Sequence, residues 1–369
     1  MTIKIVYDYQ TFSLNEYGGI SRYFHEISSK ISKSPGYDVR IVCPFYIDEY
    51  FDHLPSSMLV QGLKTKRIAK TNNLRHTVNQ KLSNLMMSGS NPDIIHETYY
   101  AAKSIGSNKA RRIVTVHDMI HEKFSSVLDR NNSFASIKAM AIRRADHIIC
   151  VSQNTKKDLI EILGIDESKV STIYHGCSFN NNFDENLKQI SQTEQPYLLY
   201  VGQRARYKNF DKLLEAYGSS LKLNQDFQLI CFGGGDFSSS EVERIKNFQL
   251  GCKVVQISGD DSMLTNLYRG ATALVYPSLY EGFGIPPLEA MSFGCPVVCS
   301  NVSSIPEVVG NAGEYFDPEN LDSMIDAIEK VVYSEVVLND LKLLGQKRIK
   351  LFSWDLCAKQ TIEVYKSRS

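Results

Sequence analysis

The chain is short of several things, and each shortage removes a class of function. It has no net charge: 41 lysines and arginines balance 41 aspartates and glutamates over 369 residues, so a whole-chain polyanion partner is not indicated. No apolar run approaches the ~18 residues that cross a bilayer, so no spanning segment is expected. The opening MTIKIVYDY lacks the basic head and long apolar stretch of a secretion signal and is predicted as a strand. The eight cysteines never form Cys-x-x-Cys and mostly sit in apolar runs such as HIICVS and QLICFG. Buried reduced thiols are expected from them, not disulfides or a metal centre. A cytoplasmic protein follows. No Asp-x-Asp stands at a strand end of the first half to hold a divalent ion, so neither metal nor cofactor is expected. Nucleic acid is disfavoured, because no binding motif appears and aromatics are sparse where basic residues gather.

What is present is alternation. Apolar runs predict strands at 3–7, 39–43, 94–96, 112–116 and 147–151, then at 197–201, 228–232, 253–257, 273–276 and 296–299. Amphipathic stretches lie between them, at 19–31, 155–163, 210–219 and 264–269. Such alternation means parallel sheets with helices on both faces, an α/β class of two doubly wound, Rossmann-like domains. The polar, asparagine-rich SFNNNFDENLKQISQTEQP reads as a linker, which sets domains at 1–180 and 181–350. Residues 351–369 are predicted as a C-terminal helix capped by Ser353 and packed back on the first domain. Ligands of parallel sheets bind beyond the carboxyl ends of the strands, so two facing sheets would place the site in the cleft between them.

Residues that follow strands carry the chemistry. In YPSLYEGFGIPPLEAMSFGCPVV a strand enters a Gly- and Pro-rich loop and then a helix. Glu281 in the loop is placed to accept hydrogen bonds from sugar hydroxyls, and Glu289 in the first helical turn to hold a ribose diol. The N–H groups of Phe283, Gly284 and Ile285 offer an anion site. Two solvated glutamates around a helix start are the plainer alternative. In LYVGQRARYKNF, Gly202 ends a strand and Arg204 and Lys208 follow; a solvated basic turn competes with a charge site for a leaving diphosphate. Gly18 and Gly19, between the first strand and its helix, allow backbone N–H groups close to a phosphate or merely make a turn, with Arg22 one helical turn on. His117 and Asp118 follow the strand RIVTV, with His121 and Glu122 extending the same loop. CFGGGD is a tight turn after another strand.

With EYGGISRYF, VTVHDMI, VSQNTKKDL and SIPEVVGNAGEYFDP in order, the chain resembles family 4 of the retaining GT-B glycosyltransferases over nearly its whole length. The resemblance implies a retaining, metal-independent transfer from a nucleoside diphosphate sugar. Arg204 and Lys208 would stabilise the departing diphosphate, with Glu281 binding the donor. His117 would hydrogen-bond the transferred sugar near its 6-position, with Asp118 orienting it. Arg22 and His121 would support the acceptor side. VHDMIHE is similar to bacterial polysaccharide mannosyltransferases, which makes GDP-mannose the first donor expected and UDP- or dTDP-sugars the alternatives. A GT-B epimerase or a noncatalytic sugar-nucleotide-binding subunit are the competing classes.

Charge is uneven along the chain. Residues 1–180 carry 23 basic and 17 acidic side chains, and residues 181–369 carry 18 and 24. Lys64, Lys66, Arg67, Lys70, Arg75 and Lys81 fall in a stretch with no acidic residue between Asp52 and Asp93. Leu74, Val78, Leu82 and Leu85 add apolar positions at helical spacing. An anionic membrane face, presenting a lipid-linked glycan acceptor, is one expected partner, which would make the protein peripheral at the inner face of the plasma membrane. A core-facing helix with a solvated basic side is the other reading.

Overall fold

The computed structural model describes residues 2–14, 18–55, 57–66, 72–87, 90–124, 133–177, 195–204 and 206–367. All but Gln195 and Pro196 of the expected linker, together with Arg67 and Lys70 of the basic tract, lies outside the described residues. The chain divides into two compact units, Met1–Gly176 with Ser353–Ser369, and Cys177–Phe352.

In the first unit seven strands form one parallel sheet. They are β1 (Ile3–Tyr7), β2 (Tyr37–Tyr46), β3 (Leu59–Lys64), β4 (Ile94–Glu97), β5 (Arg111–Val116), β6 (His147–Cys150) and β7 (Val170–Thr172), in the order β3-β2-β1-β4-β5-β6-β7. The central strands are short, β-branched and buried on both faces, as a sheet covered on two sides requires. Ile5 of β1 lies opposite Val39 on one side and Ile94 on the other. The helix Gly19–Ser32 buries Tyr23, Phe24, Ile27 and Ile31 at 3.6-residue spacing. Against it packs the last helix, Trp354–Lys366, whose Ser353 accepts a hydrogen bond from Leu356 N as its N-cap. The Tyr365 hydroxyl reaches into the sheet, 2.9 Å from the Tyr7 hydroxyl and 2.7 Å from His96 Nδ1.

The second unit holds six parallel strands. These are β8 (Tyr197–Val201), β9 (Gln228–Phe232), β10 (Val254–Ile257), β11 (Ala273–Tyr276), β12 (Val297–Ser300) and β13 (Gly313–Phe316), ordered β10-β9-β8-β11-β12-β13. In both sheets the first strand lies inside, the next two run outward on one side, and the fourth returns to its other side. That reversal is the topological switch point where doubly wound sheets bind ligands. It falls between β1 and β4 in the first unit and between β8 and β11 in the second.

Three strands escape the sequence pattern: β3, β7 and β13. Each is a sheet edge, and LVQGLK, VST and GEYF are too short or too polar to show period two. All eight cysteines are free thiols, and only Cys252 is exposed.

Candidate functional site

Lys208 follows β8 and Glu281 follows β11, so both belong to the switch point of the second unit. Their side chains meet: Lys208 Nζ lies 2.7 Å from Glu281 Oε1, with side chains 16% and 9% exposed. The pair is held from several directions. Ser304 Oγ donates to the carbonyls of Glu281 and Phe283 at 2.9 and 2.8 Å, and the Glu281 N–H donates to Ser303 Oγ at 3.0 Å. The Tyr276 hydroxyl, at the end of β11, hydrogen-bonds Glu281; burial first, then that carboxylate, holds its pKa well above the usual tyrosine range.

The loop ends in the helix Ile285–Ser292, whose N-cap is Gly284 at φ +110, a conformation that suits only glycine. Pro286 and Pro287 remove two of the N–H groups a helix start would present. The backbone N–H groups that this segment keeps are therefore those of the loop through Ile285, followed by Leu288. Phe283 is buried and packs on Phe352 at 5.9 Å. Glu289, one turn along, is partly exposed, and its Oε2 accepts from the Tyr268 hydroxyl at 3.1 Å.

Arg204 stands differently from Lys208. Gly202 carries φ +135 and turns the chain away from β8. Arg204 Nε donates to Glu241 at 2.7 Å, Nη1 to Gly233 O at 2.9 Å, and Nη2 to Gly235 O and Asp236 O at 2.9 and 2.8 Å. Four of five guanidinium N–H groups are thus engaged, and the side chain is 4% exposed over the rings of Phe237 and Phe210. Gly233, Gly234 and Gly235 all have positive φ, and a Cβ on Gly234 would come within 2.7 Å of Arg204 Nη1. The triple glycine is a turn wrapped around a guanidinium.

In the first unit His117 follows β5. Its ring packs edge-on against Tyr23 at 5.3 Å and stacks on His175 at 5.8 Å. Burial, followed by His96 and Lys138, pushes its pKa down to about 3, so it is neutral at pH 7. Its Nε2 is buried with no hydrogen-bond partner among the described residues. Asp118 accepts from the Ile120 N–H at 3.0 Å and lies 3.8 Å from the Lys138 ammonium, capping its own loop. Lys138 is 1% exposed; it donates to the Asp118 carbonyl at 2.5 Å and to Glu122 at 2.9 Å, and so organises the loop from a distant helix. His121 packs on Phe134 at 4.3 Å. Gly18 is the N-cap of the helix Gly19–Ser32 at φ −178, extended backbone open to any residue, and a Cβ there would meet only Ser21 Oγ, at 3.7 Å. Neither a positive φ nor a close approach among the described residues demands glycine at 18. Arg22 is one turn into the same helix.

Sequence reasoning missed Lys138, Ser303, Ser304, Tyr268 and Tyr276. Lys138, Ser303, Ser304 and Tyr268 support named site residues from other elements of the chain and no local spacing marks them, whereas Tyr276 opens the Glu281 motif itself and its hydroxyl is aimed there only by the fold.

Two family models divide the chain between them. Residues 17–180 match Glycosyltransferase Family 4, and residues 182–348 match Glycosyl transferases group 1. The chain belongs to glycosyltransferase family 4. This family 4 chain is 33% identical over 228 residues to O-antigen chain mannosyltransferase B of Escherichia coli, a match spanning 59% of the chain and 60% of that protein. It is 26% identical over 302 residues to O-antigen chain mannosyltransferase RfbU of Salmonella typhimurium, spanning 79% and 81%. Among solved structures it is similar to a glycosyltransferase of Rickettsia africae, with TM-score 0.71 and 20% identity over 99% of this chain and 98% of that one. At that identity the likeness concerns the fold, an α/β GT-B type with two Rossmann-like sheets.

Proposed function

We propose that this family 4 chain transfers a hexosyl group, mannose from GDP-mannose, to a glycan in the assembly of a bacterial surface polysaccharide, with retention and without a metal. The observation that carries the reading is the Lys208–Glu281 pair, 2.7 Å apart at the switch point of the second unit beside a run of backbone N–H groups. As the glycosidic bond breaks, negative charge grows on the diphosphate. Lys208 and the amides of Phe283, Gly284 and Ile285 stabilise it there, where water is largely excluded. Glu281 fixes the ammonium and accepts from donor hydroxyls, and Glu289 takes the ribose diol. Arg204 acts one step back, holding the Gly233–Asp236 turn in shape. Neutral His117 donates or accepts a hydrogen bond at a hydroxyl of the transferred sugar. The acceptor proton leaves with the phosphate oxygen, so the protein contributes position and charge. The mannosyl assignment rests on the names of the two O-antigen relatives.

A second observation supports an anionic membrane as partner. In the helix Asn72–Met87 the buried stripe runs Arg75, Asn79, Ser83 and Met87, four apart, and only Met87 of these is apolar, while Leu74, Leu85 and Met86 are exposed beside Lys81. The outer face of this helix presents apolar and basic side chains together.

The deciding experiment measures nucleoside diphosphate release from GDP-, UDP- and dTDP-sugars with and without glycan acceptor, in excess chelator. GDP-mannose turnover that needs acceptor and ignores chelator is expected. Release from no donor refutes transfer, and loss restored by Mg²⁺ refutes metal independence.

A further inference from the structure

Glu289 stands on the helix Ile285–Ser292 with its side chain partly open to solvent. A glutamate in that position turns freely about its side-chain bonds unless another element fixes it. Here the neighbouring helix Asp261–Gly270 does so. The Tyr268 hydroxyl donates to Glu289 Oε2 at 3.1 Å, and the Tyr268 ring stacks on Phe293, with centroids 5.9 Å and planes 17° apart. Glu289 and Phe293 lie four residues apart, about one helical turn, so a single tyrosine spans that turn with its ring at one end and its hydroxyl at the other. We propose that Tyr268 is a positioning residue for nucleotide recognition: it fixes the Glu289 carboxylate toward the donor's ribose and thereby sets how strongly the protein prefers a ribonucleotide to one lacking the ribose hydroxyls. The inference rests on the reading of Glu289 as the ribose-diol acceptor.

Tyr268 is itself held. It is buried, in the last turn of its helix, and the preceding residue ties that turn to the sheet: the Tyr197 hydroxyl, at the start of β8, donates to the Leu267 carbonyl at 2.8 Å. Gly270 leaves room for this bond, since a Cβ there would meet the Tyr197 hydroxyl at 2.5 Å. The Arg269 guanidinium lies 5.6 Å from the Phe293 ring and so engages the same turn of the partner helix. Burial first, then the Glu289 carboxylate, holds the Tyr268 hydroxyl well above the usual tyrosine pKa range, so at neutral pH the phenol keeps its proton and donates. A neutral donor orients the carboxylate without cancelling its charge. Bonds from ribose hydroxyls to that oxygen pair are then charge-assisted, and little side-chain freedom is left to lose when they form.

Calorimetric titration of the full chain with GDP and with 2′,3′-dideoxy-GDP tests the role, with the corresponding uridine pair alongside so that the base does not decide the outcome. The wild type should bind the ribonucleotide about 10–10²-fold more tightly, the range for hydroxyls bonded to a charged acceptor. Tyr268→Phe keeps the ring on Phe293 and removes only the hydroxyl. It should cut that preference about three- to tenfold, the scale of returning rotamer freedom to one long side chain. Glu289→Ala should abolish the preference, and adding Tyr268→Phe to it should change the preference no further, because the tyrosine acts through the glutamate. In turnover, Tyr268→Phe should raise the KM for the sugar nucleotide by a similar factor at nearly constant kcat, since the ribose is held alike before and during reaction. A merely structural tyrosine would weaken both nucleotides equally. That result, or an unchanged preference in Tyr268→Phe while Glu289→Ala loses it, overturns the positioning role. A preference that survives Glu289→Ala, or no binding of either ribonucleotide, instead overturns the ribose reading of Glu289, and the inference falls with it.

Discussion

Lys208 and Arg204 start from one basic turn and end in different surroundings. Lys208 makes a partly buried pair with Glu281, whereas Arg204 is folded into its own unit against Glu241. Their substitutions should therefore separate. Lys208→Ala should cost about 10²–10³-fold in kcat of the folded enzyme, the range for removing one transition-state donor, together with a lower urea midpoint because buried Glu281 loses its partner; near-normal kcat would refute its role. Arg204→Met leaves the Glu241 carboxylate and three carbonyls without their partner, and breaking a buried pair costs about 3–5 kcal/mol. It should show chiefly as a lower urea midpoint at constant slope, and an unchanged midpoint would count against the clamp. The buried histidines set a pH dependence. His96 is pushed down to about 3 by burial, whereas an unfolded imidazole titrates near ~6.5. The unfolded chain thus takes the proton first: the stabilisation is complete above ~6.5 and is lost as pH falls toward 3, at up to about 1.4 kcal/mol per unit. Asp48, raised by burial to about 7, works the other way as pH rises from ~4 to 7, and buried Asp8 and Glu97 are raised too. His96→Asn isolates the imidazole: its stability should fall less than wild type's between pH 6.5 and 5, and equal falls would exclude His96.

At the scale of elements, the sequence was legible wherever a residue's neighbours along the chain decide its conformation. The helix Phe210–Ser219 and strand β8 lie where their periodicity puts them, and Ser353 caps the last helix. Glu281 and Glu289 are likewise read from local pattern, loop then helix. Pairing is not local. Edge strands β3, β7 and β13 exist because a neighbouring strand offers hydrogen bonds, and the Arg204 clamp because β9 ends in three glycines beside it. The closing contact of the first unit is of this second kind. Gly176 precedes the division of the chain, yet a Cβ on it would lie 2.2 Å from the Trp354 N–H nitrogen and 2.6 Å from its Cα. Both are backbone atoms and cannot rotate away. Gly176→Ala should push the helix Trp354–Lys366 off the helix Gly19–Ser32, costing about 1–3 kcal/mol or more as an overpacked site does. Limited proteolysis should then cut near residue 353 faster than in wild type; identical cleavage kinetics would exclude the contact.

At the scale of the whole molecule the charge is divided, 23 basic to 17 acidic residues in 1–180 and 18 to 24 in 181–369. The basic tract of the first half is only partly available. Arg75 is buried and donates to the Ser13 carbonyl at 3.2 Å, and Lys64 pairs with Glu49 at 2.7 Å, whereas Lys66 and Lys81 are exposed. Beside them Leu63, Leu74 and Leu85 are 67%, 65% and 71% exposed. The two exposed lysines among the described residues, each worth about 1 kcal/mol at an anionic surface, give weak binding alone. The leucines add an apolar term that salt does not screen. Two dependences then follow that a merely solvated basic face would not show. Sedimentation with vesicles containing anionic lipid should exceed that with neutral vesicles, and should fall at 1 M salt, where the Debye length is ~3 Å, to a residue that persists. Lys66→Gln with Lys81→Gln should remove the salt-sensitive part. Leu74→Ser with Leu85→Ser should remove the residue, with turnover on a water-soluble acceptor preserved in both. Equal sedimentation with neutral and anionic vesicles at low salt would show that this face is only solvated, and the acceptor would then be reached without a membrane.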